Sequence, residues 1–140
     1  MSRIFYYRTD SLTVDKLSTL SEAFSDYLLM LLVPEKVSMK AELIFEEITQ
    51  NIVNHGYILG GFFSFRCTFN GEVIEMEFRD RGKVFNPLKD APLPDMDSPV
   101  EERDIGGLGV HLVKEFSDDM IYTRDGTENV LMLNKIIRNF

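Results

Sequence analysis

Residues 42–57 read ELIFEEITQNIVNHGY, and the fold turns on how this stretch is read. At ~100° per residue, Ala41, Ile44, Phe45, Ile48 and Ile52 gather on one arc of a helix, the arc that faces a core. Glu42, Glu46, Thr49 and Gln50 fall opposite, toward solvent. Glu47, Asn51 and Asn54 form a stripe (i, i+4, i+7) on the border of the apolar arc. A carboxylate and two amides in line at the rim of a core are placed like pocket residues. A helix flank wetted by surface water would show the same spacing, so the stripe alone leaves both readings open.

Working outward, Pro34 opens this helix and Gly56 ends it. Before it, Leu17, Leu20, Phe24, Tyr27, Leu28 and Leu31 recur at helical spacing. They predict a helix from about Thr13 to Leu32, with Thr13 as cap and Asp15 in the first turn. Arg3–Arg8 (RIFYYR) reads as a first strand. After Gly60-Gly61, the residues Phe63, Phe65, Cys67 and Phe69 alternate with polar neighbours as a strand, and Asn70-Gly71 signals a hairpin. The return strand is Val73–Asp80. Asp80 keeps the parity of Ile74, Met76 and Phe78, so it points to the buried side at the strand's end. A carboxylate there needs a donor, because an unpaired buried charge is costly; a plain turn cap is the alternative. Arg81–Asp104 holds Pro87, Pro92, Pro94 and Pro99 and has little periodicity. It reads as one long loop, either a functional lid or a surface excursion. Gly106-Gly107-Leu108-Gly109 leads into an apolar helix from Val110 to about Phe116. Backbone N–H groups at such a start favour phosphate, though glycine clusters are also common in turns. Met120–Arg124 and Val130–Ile137 are the last strands, joined through Asp125-Gly126.

The order β-α-α-β-β-loop-α-β-β predicts an α/β (α+β) two-layer sandwich: a mixed, largely antiparallel sheet with three helices on one face. A chain of 140 residues with 44% apolar side chains suits one domain, 1–140, with an ordinary core. The net charge of −8 argues against a nucleic-acid or anionic-membrane surface. One cysteine, Cys67, and two histidines, His55 and His111, exclude an internal disulfide and make a Cys- or His-built metal site untenable. MSRIFYYRTD lacks a signal-peptide pattern and no apolar run reaches membrane-spanning length, so the expectation is a cytoplasmic protein.

Taken together and in this order, EEITQNIVNHGY (46–57), DRGKVFNPL (80–88) and GGLGV (106–110) resemble the N box and the two glycine boxes of the GHKL ATPases, the proteins with the Bergerat ATP-binding fold. Within that superfamily the chain most resembles the small bacterial anti-sigma-factor serine kinases. The resemblance implies ATP and Mg²⁺ as cofactors. It makes Glu47 the catalytic carboxylate, acting as general base or orienting the attacking group. Asn51 becomes the residue that holds Mg²⁺ bridging the phosphates. It gives Asn54 a contact to phosphate or the adjoining loop. Asp80 becomes the acceptor for the adenine amino group, and Gly82 the glycine that lets the purine pass close. Residues of about 81–105 become the ATP lid. Gly106, Gly107, Leu108 and Gly109 wrap the phosphates, and Asn129 is a polar position near the adenine. Arg103 would contact phosphate or partner; in RDIGGLG (103–109) it stands farther from the glycines than in the family's RSGMG form.

The implied function is a serine kinase that phosphorylates a small antagonist protein and sequesters a sigma factor, as a homodimer, without direct contact to nucleic acid or membrane. Two other readings stand beside it: a non-catalytic ATP-binding module that switches partners, and a stand-alone histidine-kinase-type ATPase domain.

Overall fold

The computed structural model describes residues 3–56, 60–86, 115 and 117–137. Strand β1 (Arg3–Thr9) is followed by helices α1 (Val14–Leu31) and α2 (Glu35–Gly56), then strands β2 (Phe63–Phe69), β3 (Val73–Asp80), β4 (Asp119–Asp125) and β5 (Glu128–Ile136). The sheet runs β1-β2-β3-β5-β4. All four pairings among the described residues are antiparallel, so the expected mixed, largely antiparallel sheet is antiparallel throughout its described part. Each hairpin forces its own strands antiparallel, and β3 pairs with β5 in the same sense. Two of the three expected helices are described; the third, Val110–Phe116, lies outside the described residues except for Glu115.

Why these elements form is visible at their ends. Thr13 has extended backbone angles, and its hydroxyl accepts the Lys16 N–H at 3.1 Å, closing the first turn of α1. The helix stops at Leu32, which sits in the left-handed region at φ 57°. Pro34 then starts α2, its carbonyl accepting from Val37 and Ser38. Between β2 and β3 the turn differs from the expected Asn-Gly pair. Positive φ falls on Gly71 alone, at 97°, so the central pair is Gly71-Glu72. Asn70 supplies its side-chain oxygen to the Glu72 and Val73 N–H groups instead.

Both described helices pack on one face of the sheet. Phe24 of α1, Phe45 of α2, Phe65 of β2 and Phe78 of β3 are 0–2% exposed. Their ring centroids lie 4.9–6.2 Å apart. Full burial of each ring contributes roughly 2–3 kcal/mol, so this cluster is the centre of the core. Thr49 is a second correction. It is 5% exposed, because on the wheel it lies only about 40° from Phe45, on the border that α1 covers. Its hydroxyl donates back to the Phe45 and Glu46 carbonyls.

Candidate functional site

The site grows from the end of β3, the middle strand. Alternation sends Ile74, Met76 and Phe78 under the helices and carries Asp80 with them, to 4% exposure. Directly across the ladders stand Phe63 of β2 and Asn129 of β5. Asn129 Nδ2 donates to Asp80 Oδ1 at 3.0 Å, and the Gly82 N–H donates to the same oxygen at 2.9 Å. Among the described residues both bonds fall on Oδ1. Oδ2 is therefore the acceptor the carboxylate can offer to a ligand. Burial pushes the Asp80 carboxyl above its ordinary value. The bonds from Asn129 and Gly82 and the nearby Arg124 charge pull it back only in part.

Asn129 does more than orient Asp80. Its Nδ2 also donates to the Lys83 carbonyl at 2.9 Å. Its Oδ1 accepts from the Tyr122 hydroxyl, from Arg124 at 3.2 Å and from the Phe85 N–H at 3.4 Å. Arg124 in turn donates to the Gly82 carbonyl at 2.9 Å. Two side chains of the β4–β5 hairpin thus pin the backbone of Gly82–Phe85 beside the carboxylate. On the opposite face of the sheet, Glu128 accepts from Arg79 and Arg81, each at 3.2 Å. That bridge ties together the strand ends carrying Asp80 and Asn129.

Asp80, Asn129 and Asn51 meet in one cavity. Ile48, Ile52, Phe78 and Leu131 form its apolar walls, and Phe85 and Tyr122 close it. Its volume of about 20 Å³ holds about one water, against roughly 300–1,000 Å³ for a ligand pocket. Asn51 is 6% exposed, and among the described residues its buried Nδ2 has no hydrogen-bond partner. A buried amide left this way is costly unless a ligand completes it; turning the amide over exchanges its donor and acceptor ends. Glu47 precedes Asn51 by one turn of α2 and is buried at 7% exposure, outside the cavity's lining. Asn54 departs from the expected stripe. It is exposed and lines a groove between α1 and α2, although it lies only about 20° around the helix from the buried Glu47. Arg103, Gly106, Gly107, Leu108, Gly109 and the lid beyond Asn86 lie outside the described residues.

Three residues of this site were not singled out from the sequence: Phe85, Tyr122 and Arg124. The parity argument that found Asp80 also finds two of them. Met120, Tyr122 and Arg124 share the helix-side face of β4, and a polar tip and a cation there needed partners as much as the acid did. For Phe85, in an irregular segment, there was no periodic signal.

No group of three or more His, Cys, Asp or Glu side chains suited to a metal occurs among the described residues. Mg²⁺ does not require one, since it keeps several waters and takes phosphate oxygens with one or two protein ligands. Asn51 Nδ2, unpartnered among the described residues, is a donor and calls for an acceptor such as a phosphate oxygen, so only the oxygen end of this amide, one turn from the Glu47 carboxylate, would suit Mg²⁺. Among the described residues no helix is long and apolar enough to cross a membrane.

The family of the histidine kinase-like ATPase domain matches residues 11–135. The fold is shared with the histidine kinase AdeS of Acinetobacter baumannii, with a TM-score of 0.55 and 15% identity over 98% of this chain and 70% of that one. It is shared also with the histidine kinase domain of the blue-light activated histidine kinase from Erythrobacter litoralis EL346. There the TM-score is 0.54 and the identity 16%, over 89% of this chain and 61% of that one, so this chain spans less than two thirds of it. At such identities the likeness is one of fold. No curated protein matches the chain in sequence.

Proposed function

Because the chain belongs to the histidine kinase-like ATPase domain family, within the GHKL superfamily, we propose that it is an ATP-dependent protein kinase of the anti-sigma type. It transfers phosphate to a serine of a small antagonist protein and, in the alternate state, sequesters a sigma factor. The observation that carries this reading is the convergence of Asp80, Asn129 and Asn51 on one cavity. Asp80 is oriented through one oxygen, which leaves the other to accept an exocyclic amine of a purine. Adenine presents such an amine there; guanine presents a carbonyl, which a carboxylate repels.

Mg²⁺, when bound, offsets phosphate charge. Asn51 is the residue placed to hold it through its amide oxygen. Glu47 lies one helical turn away, so an incoming serine hydroxyl and the phosphate end of a bound nucleotide fall along the same edge of α2. The carboxylate orients that hydroxyl and accepts its proton. The nucleophile belongs to the partner, and the working unit proposed is a homodimer.

The test is incubation with labelled ATP and a purified small antagonist protein of the anti-anti-sigma class. Phosphoserine on that protein is expected. Glu47→Ala abolishes it while calorimetry still detects ATP. If ATP binds and no phosphoserine forms, the chain is a partner-switching module; if ATP does not bind, the site assignment itself fails.

A further inference from the structure

A second feature lies on the outer side of the helical layer, away from the cavity. The seam between α1 and α2 is not closed. One open volume of about 620 Å³ is floored by Phe45 and Thr49 and walled by Leu17, Val53 and Glu46. Another of about 470 Å³ continues from it through Ser21, Glu22 and Glu46 to Met39 and Leu43. Together they make one channel along α2 from Met39 to Asn54, about 22 Å at 1.5 Å per residue.

The wall contributed by α1 explains why the seam stays open. Ser18, Ser21 and Ser25 stand at i, i+3 and i+7, so short side chains face α2 where larger ones would fill the gap. The lining is mixed, its apolar part coming from Leu17, Phe45 and Val53, and the ends leave large apolar groups in water: Val14 at 64%, Met39 at 61% and Leu43 at 45% exposure. The charged lining is of one sign. Glu22, Glu42 and Glu46 line the channel, and among the described residues no basic side chain does.

We propose that this channel is a docking groove for a cationic amphipathic helix of a partner protein. Its length takes about four helical turns, and a third helix laid on two antiparallel ones sits in the groove between their ridges. Leu17, Phe45, Val53, Met39 and Leu43 receive the partner's apolar stripe. The one-signed carboxylates select lysine and arginine beside that stripe and repel an acidic helix. One wall of the groove is α2, whose other edge carries Asn51, so the docked helix lies against the back of the helix that lines the cavity. The inference does not depend on phosphoryl transfer.

The probe is a labelled helical peptide of about 18 residues, built from leucine and lysine with the leucines on one face. Its counterpart has glutamate in place of lysine. Anisotropy titration of the full chain should show binding of the lysine peptide and none of the glutamate peptide. Glu22→Lys with Glu46→Lys, both exposed positions, should weaken binding about tenfold or more. Asp26→Lys with Glu75→Lys makes the same charge change off the groove and should shift affinity less than about twofold. Ser21→Phe, which fills the channel, should also remove binding. Amide shifts on adding the peptide should concentrate in 14–25 and 39–54. Equal binding of both peptides, equal loss in both charge variants, or shifts mapping to the open face of the sheet would each overturn the proposal. If Ser21→Phe does not fold, the paired charge variants still decide.

Discussion

Replacing Asn129 by alanine tests the core of the site. The side chain gives one hydrogen bond to a buried carboxylate, Asp80, and one to the Lys83 carbonyl, and accepts from Tyr122, Arg124 and Phe85. A bond to a charged group contributes roughly 1.5–3 kcal/mol and a neutral one roughly 1 kcal/mol. The Phe85 contact is long and adds little, and Tyr122 and Arg124 are close enough to the surface to recover water. The expected loss is therefore about 3–4 kcal/mol, dominated by Asp80, out of the roughly 5–15 kcal/mol of a typical domain. At about 3 °C per kcal/mol for this length, Tm falls by about 10 °C. Urea unfolding at pH 7 measures the loss. A double-mutant cycle with Asp80→Ala isolates the pair, and its interaction energy should be about 1.5–3 kcal/mol. ATP affinity should fall in the same variant, since Gly82–Phe85 loses its anchor. An interaction energy under about 0.5 kcal/mol would mean that Asn129 does not position the carboxylate, and the account of the site would be wrong.

Other expectations follow from single residues. The raised Asp80 carboxyl means that the folded state holds this proton more tightly than the unfolded chain. Its contribution to stability is therefore greatest below the ordinary value of 3.8 and is lost as pH rises through the raised one; Asp80→Asn should flatten that limb in a pH series of melts. Leu32 is 90% exposed in the left-handed region at φ 57°, so Leu32→Gly should raise stability by about 0.5–1 kcal/mol, read by denaturant midpoint. Burial pushes the Cys67 thiol up to about 12, so a disulfide reagent at pH 8 should label it only at the rate of unfolding. Phe65→Ala, at the centre of the ring cluster, should cost about 3–5 kcal/mol by the same denaturant measurement.

Much of this architecture is legible in the sequence because its signals are periodic. Phe63, Phe65 and Cys67 fixed the parity of β2. The matching run in β3 placed Asp80 under the helices before any partner was known. The wheel for α2 was right for its apolar arc and for Asn51. It failed at Thr49 and Asn54, because a wheel says which arc is apolar but not which border a neighbouring helix covers. With α1 on one side, Thr49 is buried at the bottom of the seam while Asn54 lines the same groove in the open. Asn129 was identified by resemblance alone. Its five partners come from β3, β4 and the segment after Asp80, and no local pattern announces a long-range meeting of that kind. The all-antiparallel order was open for the same reason: hairpins fix neighbours, but the β3–β5 pairing joins strands about 50 residues apart.

That same pairing has a topological corollary. Asp80 and Asn129 face each other across adjacent strands, so the chain between them departs from one place and comes back to it. Severing the polypeptide between Asn86 and Asp119, short of β4, breaks no rung of the ladder among the described residues. Two separately expressed pieces, one ending after Asn86 and one beginning before β4, would carry complementary edges of a single sheet. Their reassociation could then report, as a reconstituted signal, on whatever fills the space between them.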